Sequence, residues 1–143
     1  MAIKEAKVRW VDGMQFVAEA SSGHAIVLDG AEQIGGRNTG FRAMELLLAG
    51  LAGCMAVSIV SILKKNHQPF RDLEIRVHAA QNDDFPQVYT QFDLECIVYG
   101  TNINERIVDL ALRRSEEKYC SASAMFSKIA TIMTRYSIVE AGV

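Results

Sequence analysis

The sequence predicts an α+β fold, and three features of its patterning lead there. Short β-compatible runs open the chain, one long uncharged helical run occupies its middle, and a strand pair, two helices and a last strand follow. The opening runs are Lys4 to Trp10, Met14 to Ala18 and His24 to Leu28. Asp12-Gly13 and Ser21-Ser22-Gly23 separate them, residues that close tight turns between strands, so a meander is expected. Ala31 to Arg42 (AEQIGGRNTGFR) is rich in glycine and polar groups and reads as a loop, long enough to be flexible or to line a site.

A helix is expected to begin near Ala43. From Leu46 to Leu63 it carries no charge, which touches the lower limit of a membrane-spanning length. The run also holds Ala49, Gly50, Ala52, Gly53, Ala56, Ser58 and Ser61, small residues that let another element approach closely, in a chain otherwise patterned for water. A helix apolar on nearly all sides then belongs at the centre of a fold or of a dimer. Lys64-Lys65-Asn66 supplies the stop signal, with Pro69 soon after, and His67 falls in the connecting loop.

Leu73 to Ala80 and Gln87 to Tyr99 alternate apolar and polar residues around Asn82-Asp83-Asp84 and Pro86, the pattern of a hairpin with one wetted face. Asn104 to Tyr119 sets Ile107, Val108, Ala111 and Leu112 on a helical stripe. Ser121 or Ser123 offers an N-cap for a further helix through Ile129, and Ile132 to Glu140 closes the chain as a strand.

With 143 residues and no internal repeat, residues 1–143 are expected to form a single domain around one core. Half the residues are apolar and 22% are charged, an ordinary balance for a folded protein. A net charge of -2 gives no footprint for nucleic acid or an anionic membrane, and Arg113-Arg114 is locally neutralised by Glu116-Glu117. The opening MAIKEAKVRW mixes charges before any apolar stretch could form, so no secretory signal is expected and a cytoplasmic location is. Three cysteines without a CxxC or a Cys/His cluster point away from a disulfide framework and from zinc. His24, His67 and His78 share no ligand-like spacing. Neither a cofactor nor a metal is expected.

The chemistry-bearing candidates are Cys54, inside the uncharged run (GLAGCMAVS), and Cys120, beside a helix start (EEKYCSASAMF). A cysteine needs thiolate character and access to react, and a position just before a helix supplies partial positive charge from unpaired N–H groups. Cys120 has that advantage. Cys54, mid-helix, gains nothing from the dipole and needs a nearby cation or hydrogen-bond donors. On composition alone it reads as an inert small hydrophobe. Cys96, alternating with Leu94 and Val98, reads as core.

The run MELLLAGLAGCMAV, followed 66 positions after its cysteine by the cysteine of EKYCSASAM, resembles the OsmC/Ohr family of thiol-dependent peroxidases, and within it the OsmC-like members of the YhfA type. The order of elements is similar over nearly the whole chain. The resemblance implies antiparallel sheets around a long buried central helix and an intertwined homodimer, with a redox site near the subunit interface. It puts Cys54 at the position of the peroxidatic cysteine and Cys120 at that of the resolving one. It also implies an organic hydroperoxide as substrate and an external thiol, often dihydrolipoyl, as reductant, in a stress or detoxification role. Two departures stand out. Where the family has an activating arginine in an N-terminal turn, this chain reads Val11-Asp12-Gly13-Met14; where it has a glutamate ten residues before the cysteine, this chain has Met44. Glu45, nine residues before Cys54, falls on the opposite side of a regular helix. Arg37 and Arg42 are candidate replacements for the cation, against a reading of both as ordinary loop arginines. Beside the peroxidase stand a sulfur carrier or other non-peroxidase thiol protein, and a small-molecule-binding dimer.

Overall fold

The computed structural model describes residues 1–140. They fall into two compact units, the first Met1–Leu47 and the second from Leu48 onward.

The first unit is the expected meander. Strands β1 (Ala6–Asp12), β2 (Gln15–Ala20) and β3 (Ala25–Leu28) pair antiparallel in chain order. Phe16 sits opposite Trp10 on one side and Leu28 on the other. The first turn places Gly13 at φ +55, a left-handed conformation that suits glycine, and Trp10 Nε1 donates to its carbonyl at 2.8 Å. Every residue of β1 is exposed.

The glycine-rich loop is tied down rather than slack. Asp29, 4% exposed, accepts the N–H groups of Gly30, Arg37 and Thr39 and the Thr39 hydroxyl. The Thr39 hydroxyl leads these donors in holding the Asp29 carboxyl below its ordinary value. Gly36 passes so close to the Gly30 carbonyl that a Cβ there would lie 1.9 Å from its oxygen. Only Glu32–Ile34 adopts a helical turn within the loop.

Helix α1 (Ala43–Lys65) starts where the sequence predicts. Glu45, in its first turn, accepts the Arg42 N–H at 2.7 Å, the return half of a capping box. Its end is a Schellman motif: Gln68 N–H reaches the Leu63 carbonyl at 2.9 Å and His67 N–H the Lys64 carbonyl at 3.0 Å, with His67 at φ +54. Within the single chain the burial of α1 is one-sided. Leu51, Met55, Ile59 and Leu63 are fully buried along one stripe, while Ala49, Gly50, Gly53, Val57 and Ser61 are exposed. Only 22% of its most apolar stretch is buried, and by length and composition alone this helix could cross a membrane.

In the second unit, β4 (Phe70–Gln81) and β5 (Tyr89–Gly100) form the expected hairpin. The closing strand β6 (Thr131–Val139) pairs with β5 in parallel, so this sheet is mixed, not antiparallel as expected. The physical reason is the length of the connection: Thr101 to Ala130 is a helical crossover, long enough to return the chain to the same end of the sheet. Strand β5 lies between the other two and carries Phe92, Leu94, Cys96, Ile97 and Val98 in the core.

The crossover differs from the sequence reading at two points. Helix α2 (Glu105–Arg114), N-capped by Asn104, does not continue as α-helix to Tyr119; Ser115–Tyr119 widens into a π turn. Helix α3 (Ser121–Phe126) is capped by Cys120, not by Ser121 or Ser123, and stops short of Ile129. Phe126 at its far end meets Phe92 of β5 at a ring separation of 5.1 Å, which fixes α3 to the sheet.

Candidate functional site

The two cysteines singled out in the sequence meet. Cys54, half-buried in the middle of α1, is in hydrogen-bonding contact with Cys120, which is 2% exposed. Both are free thiols. Cys120 sits where the π turn hands over to α3, and its sulfur accepts the Ser123 N–H at 3.3 Å.

The electrostatics reverse one expectation. Burial alone would push the Cys54 thiol up, but the Ala122 N–H, the Cys120 thiol and the Ser121 N–H all donate to it and together hold it below the ordinary cysteine value. Cys54 thus draws nothing from its own helix and takes the first two amides of a different one, α3. Cys120, expected to profit from that helix start, is pushed up to about 11. Its own burial is the main cause, opposed by the Ser123 N–H and reinforced by its donation to Cys54. Cys54 is therefore the more acidic thiol of the pair. Cys96, in β5, is also pushed up to about 11, by burial alone.

A polar contact sits one turn beyond Cys54. Ser58 and the fully buried Ser115 bond to each other, and their hydroxyls lie 3.0 and 3.2 Å from the Met55 carbonyl. Along the same face of α1, Val57, Ser61, Ile62 and Lys65 line an open groove of about 510 Å³ with Leu110 and Arg114.

The supporting candidates have partners within the first unit. Arg37 Nη1 pairs with Asp12 at 3.1 Å, on the turn that departs from the family pattern. Arg42 Nη1 donates to the Gly40 carbonyl at 3.0 Å, and Glu45 accepts the Arg42 N–H. Among the described residues no group of three or more His, Cys, Asp or Glu could hold a metal ion. The Ser121 and Ala122 amides were not foreseen. The serines after Cys120 signalled a helix start, but nothing in the sequence marks the π turn that aims it.

A mixed sheet, a long apolar helix and a thiol pair bridging that helix to a short one define a class of cysteine-bearing α+β proteins. The chain belongs to the OsmC-like family, whose model matches residues 36–135. It is 36% identical over 140 residues to Protein YhfA of Escherichia coli strain K12, covering 96% of this chain and 99% of that one. Its fold is similar to that of a hypothetical protein from Aquifex aeolicus VF5, with a TM-score of 0.86, 25% identity and coverage of 99% and 100% of the two chains. It is also similar to that of the organic hydroperoxide resistance protein OhrB of Bacillus subtilis, with a TM-score of 0.62, 14% identity and coverage of 95% and 98%. At that identity the likeness shows the fold alone.

Proposed function

We propose that the chain is a thiol-dependent peroxidase that reduces organic hydroperoxides through Cys54 and Cys120. The observation that carries this reading is the Cys54 sulfur held below its ordinary pKa by the α3 amides while it contacts a second, protonated thiol. In the cycle, the Cys54 thiolate attacks the outer oxygen of ROOH. The O–O bond breaks, Cys54 becomes a sulfenic acid and the alkoxide leaves. The Cys120 thiol supplies the proton that turns alkoxide into alcohol and is left as the thiolate. That thiolate attacks the Cys54 sulfur and expels hydroxide, closing a disulfide. The two thiols of one external dithiol, a dihydrolipoyl group in this reading, reduce the disulfide and leave joined as its own cyclic disulfide. A partly apolar groove opens at Ser58, one turn beyond Cys54, and supports an alkyl peroxide whose chain extends away from the thiols.

In the same reading the donors from α3 act on Cys54 where the family uses a cation, and Arg37 holds the Asp12 turn of the first unit. Arg42 and Glu45 are assigned to the start of α1. The family match draws on residues of both units, which supports one OsmC-like domain. The exposed small-residue face of α1 and the exposed β1 support a homodimer that covers them. A cytoplasmic, oxidative-stress role completes the proposal.

Steady-state peroxide consumption with a dithiol reductant tests it. Cys54→Ser is expected to abolish turnover of cumene hydroperoxide, and unchanged turnover would end the reading. One observation favours a second reading, a sulfur carrier: the groups lowering the Cys54 pKa are hydrogen-bond donors and none is a cation. A persulfide on Cys54 after incubation with a sulfur donor, without peroxide turnover, would establish it.

A further inference from the structure

We infer that Ser115 is the positioning residue of the thiol pair, fastening the segment that carries Cys120 to the helix that carries Cys54. Its side chain is completely buried, and its hydroxyl contacts the Ser58 hydroxyl and the Met55 carbonyl, at 3.2 Å, on the turn of α1 that follows Cys54. Its own carbonyl accepts the Cys120 N–H at 2.8 Å, five residues on. One residue therefore grips α1 through its side chain and Cys120 through its backbone.

The hydrogen count makes this grip specific. Ser58 Oγ also lies 3.0 Å from the Met55 carbonyl, so two hydroxyls, each with a single hydrogen, share one carbonyl and one bond between themselves. A buried hydroxyl left without a partner is disfavoured, so the knot admits few arrangements. The π turn matters for the same reason. Were the helix to continue as α, the Ser115 carbonyl would accept from residue 119. Each residue of an α-helix turns by about 100°, so Cys120 would then face a different side. The Ser115-to-Cys120 bond is the register that aims Cys120 and the amides behind it at Cys54.

This inference rests on the thiol pair being the working site, as proposed above, but it is read on the thiols without any peroxide. The experiment compares Ser115→Ala and Ser58→Ala with the unaltered chain in two assays. One is the pH profile of Cys54 alkylation by iodoacetamide, assigned by peptide mass. The other is the equilibrium of the Cys54–Cys120 disulfide with glutathione. In Ser115→Ala the alkylation midpoint is expected to move to higher pH and the disulfide equilibrium to weaken about tenfold or more, while Cys96 stays protected. Ser58→Ala is expected to shift both in the same direction by less, because Ser115 keeps the Met55 carbonyl. Variants that melt earlier but keep the wild-type midpoint and equilibrium would overturn the inference. If Ser115→Ala does not fold, unchanged thiol chemistry in Ser58→Ala does so alone. Absence of peroxide turnover in the unaltered chain would sink the peroxidase reading and leave this one standing.

Discussion

Cys96 in the middle of β5 and Cys54 in the middle of α1 are both interior positions on regular elements, and their thiols are driven opposite ways. Cys96 shares its strand face with Leu94 and Val98, both buried, and burial raises the thiol to about 11. Around Cys54 burial acts in the same sense, yet two amides and a thiol reverse it. Removing a sulfur from water therefore silences it unless donors replace the water, and here the donors come from the first turn of another helix. The lowered Cys54 pKa is a property of the junction between α1 and α3, not of the helix that bears the cysteine.

The largest effect that would break this contrast is on alkylation. At pH 7 iodoacetamide is expected to label Cys54 at least a hundredfold faster than Cys96, measured by peptide mass, and comparable rates would remove the distinction. Next comes Leu51→Ala on the buried stripe of α1, expected to cost about 2–5 kcal/mol in a denaturant titration. Val57→Ala, 75% exposed on the open face, is expected to leave the folding of the single chain within about 0.5 kcal/mol and to weaken self-association in sedimentation. Equal folding losses for the two would mean the stripes are not distinct.

A smaller effect follows from titration. Cys96 has a raised pKa, so the unfolded chain releases that proton from about pH 9 while the folded chain holds it to about 11. The resulting stability is full below pH 9 and is lost as pH rises from 9 to 11, by up to about 2–3 kcal/mol for this one group. Cys96→Ala should flatten that loss, and an unchanged alkaline slope would contradict the assignment. The opposite sign applies to Cys54. Its lowered pKa contributes stability that is full above pH 9 and fades as pH falls through the folded value. The smallest effect concerns the shared proton. Cys120→Ala removes one donor to Cys54, and alkylation of Cys54 at pH 7 is expected to slow about tenfold, the loss of one hydrogen bond to a charged group.

The elements with strong periodicity were legible in the sequence. Helix α1 begins at Ala43 as read, because the uncharged run bounded by Glu45 and by Lys64-Lys65 leaves room for only one more turn before Arg42. The β4–β5 hairpin showed in its alternation. The parallel pairing of β6 did not, since strand direction depends on the crossover and leaves no local mark. At the site, Cys54 and Cys120 were found through family resemblance, while the helix-start argument taken alone favoured Cys120 as the more acidic. Proximity to a helix start favours whichever sulfur the amides face, and the π turn at Ser115–Tyr119 turns Ser121 and Ala122 toward Cys54. Of the two readings of the glycine-rich loop, flexible or site-lining, the first is opposed by one buried acid, Asp29, which gathers its amides.

The central claim, that Cys54 and Cys120 form one redox unit, is tested most directly by intact mass. The fully reduced protein receives one equivalent of cumene hydroperoxide, and a non-reducing digest maps any new bond. The account predicts the loss of two hydrogens within seconds and a single linked peptide joining Cys54 to Cys120. Both thiols intact, or a link that includes Cys96, would contradict it.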